Sequence, residues 1–229
     1  MLYENEIDRS KYKIEYIGEK FSKDLLAYKV IVIGRYGVGK TTIISKLMNK
    51  EIDKEYEPTM SIDIKNIQVK VDEKIIQISI WDCCGNDKFA QRTPNLFKDA
   101  YITLLVYAIN DKDNSFNDLK DWNNILNEHS FGNTIFLIGN KSDLEEEREV
   151  TIEEGETFKN NYDNIKIFLE TSALKGNNMD KLLDYIAISI YEKETNDENK
   201  LDNATKGRIT LNKEDFSKNK EKKKKKACC

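Results

Sequence analysis

Tyr28-Lys29-Val30-Ile31-Val32-Ile33 is a short apolar run that breaks into Gly34-Arg35-Tyr36-Gly37-Val38-Gly39-Lys40-Thr41. The second half fits G-x-x-x-x-G-K-[ST], and it stands between a predicted buried strand and a predicted helix, in which Ile43, Ile44, Leu47 and Met48 recur at helical intervals. Glycines let such a loop curl so that successive N–H groups face phosphate oxygens, and a helix starting near Gly39 adds its positive dipole end. Lys40 supplies a point charge for the β- and γ-phosphates. Thr41 offers a hydroxyl to magnesium, and the loop assigns nucleotide contacts to Gly34, Gly37, Val38, Gly39, Lys40, Thr41 and Thr42.

Working outward, apolar runs alternate with segments of helical spacing. Ile62 to Val71 and Ile75 to Trp81 alternate with period two around Asp72-Glu73, which predicts a hairpin. Ile102 to Ile109, Thr134 to Ile138 and Ile165 to Leu169 read as further buried strands. Leu119, Trp122, Ile125 and Leu126 mark one intervening helix, and Met179, Leu182, Leu183, Ile186 and Ile190 another. Strands alternating with helices predict an α/β fold with a six-stranded, mostly parallel sheet and helices on both faces. Residues 28–192 form the expected domain, and 193–229, rich in Asn, Asp, Glu and Lys, a disordered tail. Over 1–27, Ile14, Ile17, Phe21 and Leu25 lie on one helical stripe that Gly18 interrupts, so an extension loosely attached to the domain is expected.

A second motif follows the strand Thr134 to Ile138: Asn140-Lys141-Ser142-Asp143 reads N-K-x-D. The Asp143 carboxylate can accept from both the ring N–H and the exocyclic amine of guanine, a pairing that adenine cannot offer. The stem of Lys141 can lie across the base, and Asn140 can tie this loop to the phosphate loop. Thr171-Ser172-Ala173-Leu174 follows the last strand, where backbone N–H groups can meet the guanine oxygen; Ser172, Ala173 and Leu174 complete the candidate base contacts.

In this order and spacing the motifs make residues 28–192 resemble a small GTPase of the Ras superfamily, with the P-loop NTPase fold. The resemblance implies GTP and GDP as ligands with Mg2+, and it locates two further motifs. Pro58-Thr59 matches the first switch, making Thr59 a second hydroxyl ligand of magnesium. Trp81-Asp82-Cys83-Cys84-Gly85-Asn86-Asp87 stands where the family has W-D-T-A-G-Q-E. Asp82 would hold magnesium through water, the Gly85 N–H would bond the γ-phosphate, and Asn86, with Lys40 and Gly85, would carry the catalytic work. Asn86 is one methylene shorter than the glutamine that orients the attacking water, so intrinsic hydrolysis is expected to be slow. Tyr36 brings a large side chain into the phosphate loop, where it can crowd an incoming arginine finger, point to solvent or cap the nucleotide. Cys83 and Cys84 read as small buried hydrophobes rather than a redox pair, and His129, the only histidine, as the end of an exposed helix.

Trp81, the segment Met60-Ser61-Ile62-Asp63-Ile64 and Cys228-Cys229 are most similar to the Rab branch. That resemblance implies an exchange factor, a GTPase-activating protein, effectors and a prenyl-binding chaperone as partners. It also implies geranylgeranyl anchors on Cys228 and Cys229, and residence on the cytoplasmic face of an intracellular membrane, cycling with cytosol.

Charge and composition agree with that division of labour. The 229 residues carry −4 in total, but Lys218 to Lys226 holds seven lysines and one glutamate, +6, leaving −10 for residues 1–217. An acidic body is a poor non-specific binder of nucleic acid, whereas the tail suits an anionic surface. With 39% hydrophobic and 34% charged residues the chain has the means to bury a core. Its longest apolar stretch, Ile102 to Ile109, is interrupted by Thr103 and falls far short of the roughly 20 residues that span a bilayer. The start lacks the features of a secretory signal or a myristoylation site, and two adjacent cysteine pairs suit neither disulfides nor zinc, so a reduced, cytosolic protein is expected; a monomer is expected beside its protein partners. Two alternatives stand beside the switch: a GTP-locked recruitment module with little hydrolysis, and an ATP-dependent P-loop enzyme, which the N-K-x-D motif disfavours.

Overall fold

A computed structural model of the chain describes residues 7–51, 62–83, 96–129 and 134–197. Strands β1 (Ile14–Gly18), β2 (Ala27–Ile33), β3 (Asp63–Val71), β4 (Lys74–Asp82), β5 (Ile102–Ala108), β6 (Thr134–Asn140) and β7 (Ile165–Glu170) form one sheet in the order β1-β3-β4-β2-β5-β6-β7. From β4 to β7 every neighbouring pair is parallel; β3 runs antiparallel to β4, and β1 antiparallel to β3. Helices α1 (Lys40–Leu47), α2 (Leu119–His129) and α3 (Ile152–Asn160) connect them, and α4 follows over 179–190.

The central strands are apolar throughout because both faces are covered; all seven residues of β5 are buried. On one face Ile31, Ile33, Leu105, Tyr107 and Leu137 cluster with Trp122 and Leu126 of α2 and Phe158 of α3. The alternate residues Val30, Val32, Leu104 and Val106 point the other way and are fully buried too. The expected hairpin is present: Val71 pairs with Lys74, and Asp72 takes the left-handed backbone, φ 52°, that so tight a turn requires.

The sheet has seven strands, not six, and the seventh corrects the expectation of a loosely attached extension. β1 pairs Ile14 with Val71 and Tyr16 with Val69, and the register shifts between Tyr16 and Gly18, where Gly18 adopts φ 126°. A bulge at this point breaks the two-residue alternation, which is why the stripe of apolar residues looks helical in sequence. Further along, the buried amide of Gln77 on β4 accepts from the Ser22 N–H and donates to the Ser22 and Leu25 carbonyls, fastening the loop between β1 and β2.

α3 has few apolar residues, but Thr151 and Glu154 close a reciprocal capping box at its start. The chain divides into two units after Ile190. In the second, residues 191–197 are helical, with the Thr195 hydroxyl donating to the Tyr191 carbonyl, where the sequence reading begins its disordered tail at 193. No helix among the described residues is long and apolar enough to cross a membrane.

Candidate functional site

In an open α/β sheet, ligands bind beyond the carboxyl ends of the parallel strands. Here β2 ends into the phosphate loop, β4 ends at Asp82, β6 at Asn140, and β7 runs into Thr171. All four ends lie on the same side of the sheet.

The phosphate loop begins at Gly34 with φ 138°, and a Cβ there would collide with the Val106 carbonyl oxygen, so only glycine lets the loop leave β2 this close to β5. Gly39 (φ 94°) is the N-cap of α1, and a Cβ on it would meet the Asn140 side-chain amide. Val38 is buried, Gly37 and Tyr36 exposed, and Thr42 half-buried. The side chain of Lys40 folds back across the loop, its Nζ donating to the carbonyls of Gly34 (2.9 Å) and Arg35 (3.0 Å). The ammonium is thereby placed over the loop although the residue is only 7% exposed.

Thr41 Oγ1 donates to Asp82 Oδ2 at 2.7 Å. Asp82 is almost fully buried, and its other oxygen, Oδ1, has no hydrogen-bond partner among the described residues. Burial pushes the carboxyl above the usual range, opposed by the Thr41 hydrogen bond and by the charge of Lys40. A desolvated carboxylate oxygen without a donor, beside a threonine hydroxyl, fits the hard oxygen ligation that magnesium prefers. Cys83, next in sequence, is buried in the core cluster and donates to the Trp81 carbonyl.

The base-reading loops are joined to each other and to the phosphate loop. Asn140 is buried; its Nδ2 donates to the Val38 carbonyl at 2.8 Å, while its Oδ1 accepts from Thr171 Oγ1 and the Ala173 N–H. Ser172 Oγ donates to Asp143 Oδ1 at 2.5 Å and accepts from the Lys175 N–H. Lys141 takes a left-handed backbone, φ 67°, which turns the chain between Asn140 and Asp143. Leu174 stands exposed beside them.

Two contributors escaped the sequence reading. Thr171 carries no role that its sequence context predicts, yet its hydroxyl donates to Asn140 Oδ1 and orients that side chain. Arg148 forks onto Glu170 (2.7 and 2.8 Å) and Glu145, and its Nη1 also donates to the Val150 carbonyl. Because Glu170 immediately precedes Thr171, and Glu145 follows Asp143 by two residues, this guanidinium staples the two base-reading loops from behind. The pairing spans 22 residues, and nothing local in the sequence announces it. His129 ends α2, as expected, with its ring half-buried against Phe97. Thr59, Cys84, Gly85, Asn86, Cys228 and Cys229 lie outside the described residues.

Comparison with known proteins agrees with this arrangement. The Ras family profile matches residues 29–192. The Ras-related protein Rab-11B of Dictyostelium discoideum is 36% identical over 172 residues, which cover 73% of this chain and 77% of that protein. Family members are GTPases that bind GTP and GDP, generally with magnesium. The chain belongs to the Ras family of small GTPases and is most similar to its Rab branch.

Proposed function

We propose that the chain is a Rab-like switch that binds GTP and GDP at the ends of β2, β4, β6 and β7, hydrolyses GTP slowly, and acts from a membrane surface in vesicle traffic. The observation that supports it most is the bond from Asn140 Nδ2 to the Val38 carbonyl. It joins a phosphate-binding loop to a loop bearing a guanine-selective carboxylate, so one nucleotide can engage both.

In this reading Asp143, steadied by Ser172, accepts from the guanine edge, Lys141 covers the base, and the Ala173 N–H shares its long bond to Asn140 Oδ1 with the guanine oxygen. Lys40 leaves the Gly34 and Arg35 carbonyls for the β- and γ-phosphate oxygens and stays with the γ-phosphate as charge develops in the transition state. Thr41, Thr59 and Asp82 would hold magnesium, which would supply charge neutralisation on the phosphate oxygens. Water attacks the γ-phosphorus in line; the bond to the β–γ bridging oxygen breaks, leaving GDP and phosphate. Gly85 bonds the γ-phosphate, and Asn86 orients the water with a side chain one methylene short. A displacement of about 1 Å in an orienting group costs on the order of 100-fold in rate.

Exchange factors, activating proteins, effectors and a prenyl-binding chaperone complete the cycle. Cys228 and Cys229 are the proposed lipid acceptors, with 193–229 as their tether. The test is single-turnover hydrolysis of bound GTP by the full chain and by Asn86→Gln. The glutamine variant is expected to be at least about tenfold faster; equal rates would refute the assignment of slow hydrolysis to Asn86. Nucleotide extracted from the purified wild type reports on the alternative, since mostly GTP favours a recruitment module that hardly hydrolyses. Absence of guanine nucleotide, with ATP able to compete, would overturn the reading itself.

A further inference from the structure

Arg35 lies inside the phosphate loop, at one of the positions that the G-x-x-x-x-G-K-[ST] pattern leaves free. Its guanidinium Nη1 donates to Asp118 Oδ2 at 2.6 Å, linking residues 83 positions apart. Asp118 immediately precedes α2, and its carbonyl accepts from the Trp122 N–H, so the first turn of that helix hangs from it. The other end of Arg35 meets the reactive part of the site, since its carbonyl accepts from Lys40 Nζ. One residue earlier, Gly34 abuts the Val106 carbonyl of β5. The loop is therefore moored twice. Asn140 holds its far end at Val38, and the Arg35–Asp118 ion pair holds its near end.

We propose that Arg35 is a positioning residue for nucleotide retention, acting through Asp118 to hold the side of the phosphate loop whose carbonyls carry Lys40. The proposal rests on the nucleotide-binding reading above. A loop already held in its binding shape loses less conformational freedom when the phosphates arrive. Such differences in affinity appear mainly in the dissociation rate. Orienting the guanidinium toward α2 also keeps a second cation out of the phosphate cradle, leaving Lys40 as the group that meets the phosphates. The side chains of the pair are 41% and 25% exposed, so its contribution is modest and sensitive to salt. About two- to fivefold in release rate is the scale to look for.

Full-length chain loaded with a fluorescent GDP is chased with excess GDP at low and at high ionic strength. Arg35→Ala and Asp118→Asn are each expected to release nucleotide about two- to fivefold faster than wild type at low salt, and less so at high salt. Arg35→Lys, which keeps the charge within reach of Asp118, is expected to stay near the wild-type rate. In the double variant Arg35→Ala/Asp118→Asn release should match the faster single variant, because both changes remove one interaction. A purely structural role would lower melting temperatures without that non-additivity. Release that slows in Asp118→Asn while quickening in Arg35→Ala would overturn the proposal, since a freed Arg35 would then be holding phosphate itself. Wild-type rates throughout, or single effects that multiply in the double variant, would overturn it as well. A wild type that retains no guanine nucleotide removes the binding reading and this inference together.

Discussion

Asp184 is a carboxylate drawn out of water on α4. Arg9 Nε lies 2.5 Å from its Oδ2, and the aspartate side chain is only 7% exposed. The two charges are in close contact, although no well-directed hydrogen bond to Oδ2 is present among the described residues. Burial pushes the carboxyl above its ordinary 3.8, outweighing the pull of Arg9, and nearby Asp180 adds to the rise. The folded chain thus binds this proton more tightly than the unfolded chain. Stability contributed here is greatest below about 3.8 and falls as pH rises through the folded value, so at neutral pH the ionised Asp184 is a burden. Asp184→Asn removes that dependence while keeping the shape of the side chain. Urea midpoints from acid to neutral pH should fall less steeply with rising pH for the variant, and at neutral pH should equal or exceed wild type. A loss above about 1 kcal/mol at neutral pH would mean that the pair with Arg9 is net favourable.

At the scale of elements, β1 matters more than its five residues suggest. β3 would otherwise be an edge strand with a row of unpaired backbone groups, a template for association with other chains. β1 covers it, and Asp72 fixes the start of β1 by accepting from the Lys13 N–H at 2.9 Å. The half-buried Ile14, Tyr16 and Ile17 lose only part of their surface to the sheet, so β1 contributes on the order of 2–3 kcal/mol. Removing residues 1–18 is then expected to lower the melting temperature by about 5–10 °C and to increase concentration-dependent light scattering. An unchanged melting temperature with no scattering would show that β1 protects nothing. The same strand explains what was legible. β2, the β3–β4 hairpin, β5, β6 and β7 announced themselves because burial on one or both faces imposes a simple period. β1 did not, because a bulge breaks its alternation and its support comes from β3, whose Val69 and Val71 lie more than fifty positions along the chain from the residues they pair. α3 hid for the opposite reason: its apolar face is too small to show a period, although Thr151 and Glu154 spelled its cap. The site divides in the same way. Gly34 to Thr41 and Asn140 to Asp143 are contiguous and could be read, whereas Arg35–Asp118 and Arg148–Glu170 depend on chain reversals that no local pattern encodes.

At the scale of the whole molecule, charge is divided between an acidic body and a basic run near the C-terminus. Residues 1–217 carry −10, and Lys218 to Lys226 carry +6. An anionic membrane therefore repels the body while attracting the basic run, worth up to about 1 kcal/mol per lysine close to the surface. Attraction of that kind is screened within about 8 Å at physiological salt, so in the proposed membrane-bound form it would bias the choice of surface without holding the protein there. Stable attachment takes hydrocarbon, about 0.8 kcal/mol for each buried CH₂. If Cys228 and Cys229 carry the proposed prenyl groups, the two contributions separate experimentally in the full chain. With Cys228 and Cys229 intact, the protein should sediment with neutral phosphatidylcholine vesicles, and more completely when phosphatidylserine is added. Replacing Lys222 to Lys226 by glutamine should abolish the preference for phosphatidylserine and leave sedimentation with neutral vesicles in place. The Cys228→Ser/Cys229→Ser variant should remain in the supernatant with both lipid compositions at physiological salt. If that variant still sediments, the attachment comes from elsewhere in the chain, and Cys228 and Cys229 are not its anchors.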